Sequence, residues 1–312
     1  MTPPDPSIVR IDGPWTHRDV SANGIRLHVA EAGHGPLVLF LHGFGQFWWT
    51  WRHQLTALAD AGYHAVAADL RGYGDSDKPP RGYDAWTLAG DVAGLVRALG
   101  ERQAHLVGHA WGGLLAWTAA ALHPRVVASL TVLGGAHPLA VRSAIARTAF
   151  RRKRSNQARA LTHLFRFQVP MAPERWLTDD GGANVEALLR GWSGPQWTTT
   201  GDFDTSAAMF REAMCVPGVA HSALEYYRWA FRAQFRGEGR RFADAVGTRV
   251  AAPVLQIHGG ADPCVLPETA RASAPWRGPH SVLEELADVG HFPHLEAPEQ
   301  TTKALLDFLA KA

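Results

Sequence analysis

The segment Gly108-His109-Ala110-Trp111-Gly112-Gly113 directly follows the apolar run His105-Leu106-Val107. Small residues at its first and fifth positions suit a strand that turns sharply into a helix, a turn that pushes its central residue into a cleft. A nucleophile belongs at that central position, and this chain carries Ala110 there. A helix start behind it supplies free N–H groups and partial positive charge. His42-Gly43-Phe44-Gly45 ends another apolar run and presents a second N–H. The N–H groups of Phe44 and Trp111 together make a candidate oxyanion hole. Later come Gly259-Gly260-Ala261-Asp262-Pro263 and Gly290-His291-Phe292-Pro293-His294, each after an apolar run. A carboxylate just past a strand end can fix an imidazole's tautomer and stabilise its charged form. The chain order of nucleophile position, acid and histidine makes His291 the candidate base and Asp262 its orienter.

These residues need a scaffold that delivers them to one edge. Residues 15–20 and 25–31, separated by Ser-Ala-Asn-Gly, read as a hairpin with an Asn-Gly turn. Short apolar runs follow at 37–41, 64–69, 104–107, 127–133, 253–258 and 281–286, with amphipathic segments at 51–61, 88–99 and 113–123. Apolar strands alternating with helices imply a mostly parallel sheet of eight strands covered on both faces. Ligands in such a sheet bind beyond the carboxyl ends of the strands, where the unusual residues fall. From residue 139 to 248 no strand-like run occurs, and Arg, Trp and Ala recur with helical spacing. A helical block inserted between two strands of one sheet reads as a cap, of the kind that excludes water and shapes substrate choice. The expected domains are therefore a core over 1–138 and 249–312 and a cap over 139–248.

Composition narrows the function. Of 312 residues, 46% are apolar and 19% charged, and the net charge is +2, so no strong field draws nucleic acid or membrane. The basic run Arg151-Arg152-Lys153-Arg154 reads as a solvated helix face. Cys215 and Cys264 have no ligand spacing, which argues against a metal site or a disulfide framework. The N-terminus lacks the apolar core of a signal peptide, and no stretch approaches a membrane span, so the expected location is the cytoplasm. No cofactor is implied, the expected partner is a small molecule, and a homodimer is left open.

Along nearly its whole length the chain resembles the α/β-hydrolase superfamily, and within it the epoxide hydrolase and haloalkane dehalogenase branch. His42-Gly43-Phe44 with Trp48-Trp49-Thr50-Trp51-Arg52 is similar to that branch's HGFP…W…WR pattern, with Gly45 in place of proline. Asp69-Leu70-Arg71-Gly72-Tyr73-Gly74-Asp75-Ser76 matches DxRGxGxS, and residues 108–113 match GHDWGG except at the nucleophile. Tyr227-Arg228 resembles the cap pair whose tyrosine protonates the epoxide oxygen. Phe167-Gln168-Val169-Pro170 resembles the cap's FQxPG segment, with Met171 where glycine stands. The branch's second proton-donating tyrosine falls at His163. The resemblance implies an α/β-hydrolase fold and an aspartate that attacks an sp³ carbon, giving an ester that the histidine then hydrolyses. His42, Trp48, His109 and His163 complete the expected substrate-binding set.

A methyl group has no lone pair, so Ala110 closes the covalent route. Three readings of Ala110 follow. The alanine is an engineered knockout of a hydrolase whose nucleophile was aspartate or serine. Or it is native, and the Asp262–His291 dyad works alone in direct hydration, lyase or cyclase chemistry. Or the protein is a catalytically silent binder. Trp48, Trp49, Trp111, Trp192, Trp197 and Trp229 favour a small to medium apolar or aromatic ligand. Trp111 also keeps dehalogenase chemistry open, because indole N–H groups can hold a halide.

Overall fold

The structure, a computed structural model, describes residues 3–148 and 156–312. The basic run at 151–154 lies outside the described residues. Strands β1 (Thr16–Ala22) and β2 (Ile25–Ala32) form a hairpin whose turn gives Asn23 and Gly24 positive φ, as a two-residue Asn-Gly turn requires. Next come β3 (Leu37–Leu41), helix α1 (Arg52–Asp60), β4 (His64–Ala68), α2 (Ala85–Ala98), β5 (Ala104–His109), α3 (Trp111–Leu122) and β6 (Val127–Leu133). The α2 helix starts at Asp84, whose carboxylate accepts the N–H groups of Trp86 and Thr87.

After β6 the described chain is helical: α4 (Pro138–Thr148), α5 (Gln157–Ala160), α6 (His163–Arg166), α7 (Ala172–Trp192), α8 (Gly201–Cys215), α9 (Val219–Ala233) and α10 (Gly237–Ala245). The α7 helix is broken at Asp179–Gly182, where Asp180, Gly181 and Gly182 take positive φ. The sheet then resumes with β7 (Val254–Gly259), α11 (Pro267–Arg271) and β8 (Val282–Leu286), and the chain ends on α12 (Pro293–Glu296) and α13 (Pro298–Leu309).

All eight strands form one sheet in the order β1-β2-β4-β3-β5-β6-β7-β8. The β1–β2 and β2–β4 pairs are antiparallel and the other pairs parallel. Every residue of β3 and of β7 is buried, as expected for strands covered on both faces. The register pairs Leu41 with Gly108, His109 with Leu133, and Leu133 with Ile257. The carboxyl ends of β3, β5, β6 and β7 therefore lie side by side. Sequence alone ends β5 at Val107; the strand continues two residues further, because Gly108 and His109 pair with β6. Among the described residues no helix is long and apolar enough to cross a membrane.

Close backbone approach explains the glycines around Ala110. A Cβ on Gly112 would lie 2.0 Å from the Leu41 carbonyl oxygen, and one on Gly108 would lie 2.3 Å from that of Gly112. Helix α3 can pack this tightly on β3 and β5 only with hydrogen at both positions. Gly112→Ala is expected to destabilise the fold by about 3 kcal/mol, at the upper end of overpacking costs. Scanning calorimetry should show a fall in Tm; an unchanged Tm would contradict the close approach.

Candidate active site

Ala110 joins β5 to α3 at φ 47° and ψ −108°, a positive φ that costs a non-glycine residue about 1–3 kcal/mol. The strained turn is pinned on both sides. The Ala110 N–H donates to the Leu133 carbonyl at 3.0 Å, and its own carbonyl accepts from Leu114 N–H at 2.9 Å. The Trp111 N–H opens helix α3 and, among the described residues, finds no acceptor; nor does the Phe44 N–H. A Cβ on Gly43 would meet the Ala110 Cβ at 3.2 Å, so the loop bearing Phe44 runs directly beside the turn. Gly45 takes φ 73°, a value closed to the proline of the resembled pattern.

Asp262 and His291 meet at the same edge. The His291 Nδ1–H donates to Asp262 Oδ2 at 2.8 Å, while Oδ1 accepts the N–H groups of Cys264 (2.7 Å) and Val265 (3.0 Å). Both side chains are buried. Burial pushes the His291 pKa down, but Asp262 foremost, and then Cys264, hold it well above the usual histidine value. The backbone of His291 is fixed as well: its N–H donates to the Trp192 carbonyl at 2.9 Å, and its carbonyl accepts from His109 Nε2 at 2.8 Å.

A cavity of about 340 Å³ opens over Ala110, bordered by Ala110, His291, Tyr227, His163, Trp192 and Cys264 among mostly apolar neighbours. Phe165 (63% exposed) and Phe235 (76% exposed) also border it, so the cavity reaches solvent beside them. Burial raises the Tyr227 pKa well above the usual tyrosine value, which keeps its hydroxyl protonated. The Trp111 and Tyr227 rings stand edge to face at 4.9 Å. The His163 ring lies 5.2 Å from Trp192 and 5.9 Å from Tyr227, and burial lowers its pKa to about 4, leaving it neutral at pH 7. Arg228 does not face the cavity; it bonds the carbonyls of Phe167 and Val169 and the Glu174 carboxylate, and so braces α9 against the segment before α7.

Several residues expected at the substrate have other work. His42 is fully buried, with Nδ1 donating to the Gly43 carbonyl (2.9 Å) and Nε2 accepting from Leu70 N–H (3.1 Å). Both nitrogens are spent holding loops, so His42 is not a substrate contact. Trp48 is also fully buried and donates to the Val9 carbonyl at 2.7 Å, which makes it a packing residue. Trp49 lies under the Arg52 guanidinium, and the Trp197 indole donates to Asp202; neither borders the cavity. His109 borders the cavity only with its ring, since Nδ1 contacts Gln46 Oε1 at 2.8 Å and Nε2 donates to His291. Asp69, in the DxRGxGxS stretch, is buried and accepts from His28 Nδ1 and the N–H groups of Trp48 and Asp75, so this stretch is structural. No group of three His, Cys, Asp or Glu side chains among the described residues is arranged to hold a metal.

Residues 36–298 match the family described as the α/β hydrolase fold. The chain belongs to that family. It is 34% identical to epoxide hydrolase A of Mycobacterium tuberculosis, over 95% of this chain and 98% of the relative. It is 32% identical to epoxide hydrolase 2 of Siraitia grosvenorii, with the same coverage. An epoxide hydrolase structure from Vigna radiata superposes with a TM-score of 0.77 at 28% identity, covering 96% of this chain and 98% of that one. Epoxide hydrolase A from Mycobacterium thermoresistibile gives 0.76 at 29% identity, covering 95% and 98%. This α/β hydrolase is thus epoxide hydrolase-like in both sequence and fold.

One organising residue carries no sequence motif. Glu296 accepts the N–H groups of Gly290 (2.8 Å) and Phe292 (3.0 Å), which flank His291, and that of Gly194 (2.8 Å), which follows α7. It ties the histidine loop to the segment between α7 and α8. Glu296→Ala leaves three donors without an acceptor and is expected to cost about 3 kcal/mol. In urea the midpoint should fall with the slope m unchanged. A midpoint equal to the parent's would show that the carboxylate does not hold these loops.

Proposed function

We propose that the protein hydrates epoxides of small to medium apolar or aromatic molecules in one step, without a covalent ester. The observation that carries this reading is the 2.8 Å contact of Asp262 with His291, whose ring borders a cavity that Ala110 and Tyr227 also line. A methyl in place of a carboxylate frees space beside the Phe44 and Trp111 N–H groups on the scale of one water, about 30 Å³. A water there donates its proton to His291 as its oxygen attacks the epoxide carbon. The carbon–oxygen bond opens, the leaving oxygen takes the Tyr227 proton, and the tyrosinate recovers a proton from the imidazolium through solvent. Asp262 orients the ring and stabilises its charge. The helices within 139–248 act as the cap that limits bulk water, and His163 occupies the wall beside Tyr227 as a neutral ring. Curated relatives named epoxide hydrolases support the substrate class.

The base must be neutral to accept a proton. Asp262 and Cys264 raise the His291 pKa above its ordinary 6.5, so the rate should climb with pH through an apparent pKa above that value. His109, His163 and His258 surround the pair but are themselves held neutral by burial. Diol formation from a panel of aryl and alkyl epoxides checks this. The expected result is turnover above the buffer rate, lost in His291→Ala, and raised on the order of a thousandfold or more in Ala110→Asp. Epoxide binding with no diol at any pH would leave a binding protein instead.

A further inference from the structure

A second group able to do covalent chemistry borders the same cavity. Cys264 is 5% exposed and lines the cavity with Ala110, His291 and Tyr227. Its main chain is held on both sides: the N–H donates to Asp262 Oδ1 at 2.7 Å, and the carbonyl accepts from Gln157 Nε2 at 2.8 Å. Through Oδ2 the same carboxylate binds His291 Nδ1 at 2.8 Å. One acid therefore fixes a cysteine and an imidazole side by side, and both border the cavity. The other cysteine, Cys215, is only partly buried and has no such neighbour; its contact is the Thr178 carbonyl.

An independent feature points to what the cavity receives. Tyr227 is 6% exposed, borders the cavity, and among the described residues its hydroxyl has no hydrogen-bond acceptor. A buried donor aimed into a cavity calls for a ligand with an acceptor oxygen. A thiol and a base on one cavity wall and a phenol with an unspent proton, some 340 Å³ of mostly apolar space around them, suit a small electrophile that develops an alkoxide.

We propose that Cys264 is a covalent acceptor for epoxides that enter this cavity, an inference that rests on the reading of the cavity as an epoxide site. The thiol proton passes to His291, and the sulfur attacks the less substituted epoxide carbon. The carbon–oxygen bond breaks, the oxygen takes the Tyr227 proton, and the imidazolium restores it through solvent. The product is a β-hydroxyalkyl thioether whose mass gain is one whole epoxide. No oxidant or reductant is needed. A carboxylate ester offers water an acyl carbon to attack, whereas a thioether offers none, so the adduct persists. Capture and hydration also compete for one group. While the imidazolium is paired with a thiolate it cannot take a proton from water.

The test uses the full chain and styrene oxide, with intact-mass and peptide mass spectrometry beside a diol assay on the same samples. The expected result is one adduct per chain on Cys264, formed about tenfold or more faster than on free cysteine in the same buffer. His291→Gln should slow it by a similar factor, and Cys264→Ser should abolish it. If Cys264→Ser does not fold, protection of the parent's Cys264 from iodoacetamide by 1-phenyl-1,2-ethanediol provides the second readout, with Cys215 left unprotected. Labelling confined to Cys215, or Cys264 reacting no faster than free cysteine, overturns the inference. Diol without adduct overturns it while sparing hydration; adduct without diol does the reverse.

Discussion

The Asp262 carboxylate is the junction on which the site is built. It is buried, and its two oxygens serve three donors: the His291 ring on one side and the backbone of Cys264 and Val265 on the other. The last two close the loop after β7 on the carboxylate itself, so the acid cannot swing away without unwinding its own turn. His258, at the end of β7, donates to the Val265 carbonyl at 2.8 Å and closes that loop from below. A buried carboxylate is costly unless it is hydrogen-bonded, and here two backbone N–H groups from the residues just beyond it join the His291 ring in doing so. His291 is held just as firmly from its own side, through Trp192, His109 and Glu296.

This arrangement explains how alanine can occupy the turn without collapse of the site. None of the hydrogen bonds that place Asp262 or His291 involves the side chain at position 110. The turn is held by backbone bonds to Leu133 and Leu114 and by two glycines that permit contact with Leu41 and within the 108–112 turn. On such a scaffold the side chain at position 110 can differ while the geometry stays in place. The same edge holds a positioned imidazole, a protonated phenol, two free backbone N–H groups and a mostly apolar cavity.

Much of this was legible from residue order. Apolar runs of four to seven residues marked strands, and the residues after them had to share an edge because parallel strands align their carboxyl ends. Glycines 108 and 112 declared a tight turn because only hydrogen fits there. His42 and Trp48 were misread for a physical reason. A motif reports that a polar or aromatic side chain is needed, and not whether its partner is a ligand or the backbone; both turned out to serve the backbone. Glu296 was silent, since a carboxylate gathering three amides from two distant segments has no local spacing. Cys264 was silent for a similar reason: its neighbour lies across the sheet edge, on the loop after β8.

The source of the new oxygen separates direct hydration from every covalent alternative. In a single turnover in ¹⁸O-labelled water, with enzyme in excess over an aryl epoxide, direct hydration predicts one ¹⁸O atom in the first diol released. Ala110→Asp serves as the internal contrast, because the ester route hands the diol an unlabelled carboxylate oxygen first. An unlabelled first diol from the alanine protein would contradict direct hydration and point to another carboxylate as nucleophile. Labelled diol formed no faster than in buffer would contradict it equally.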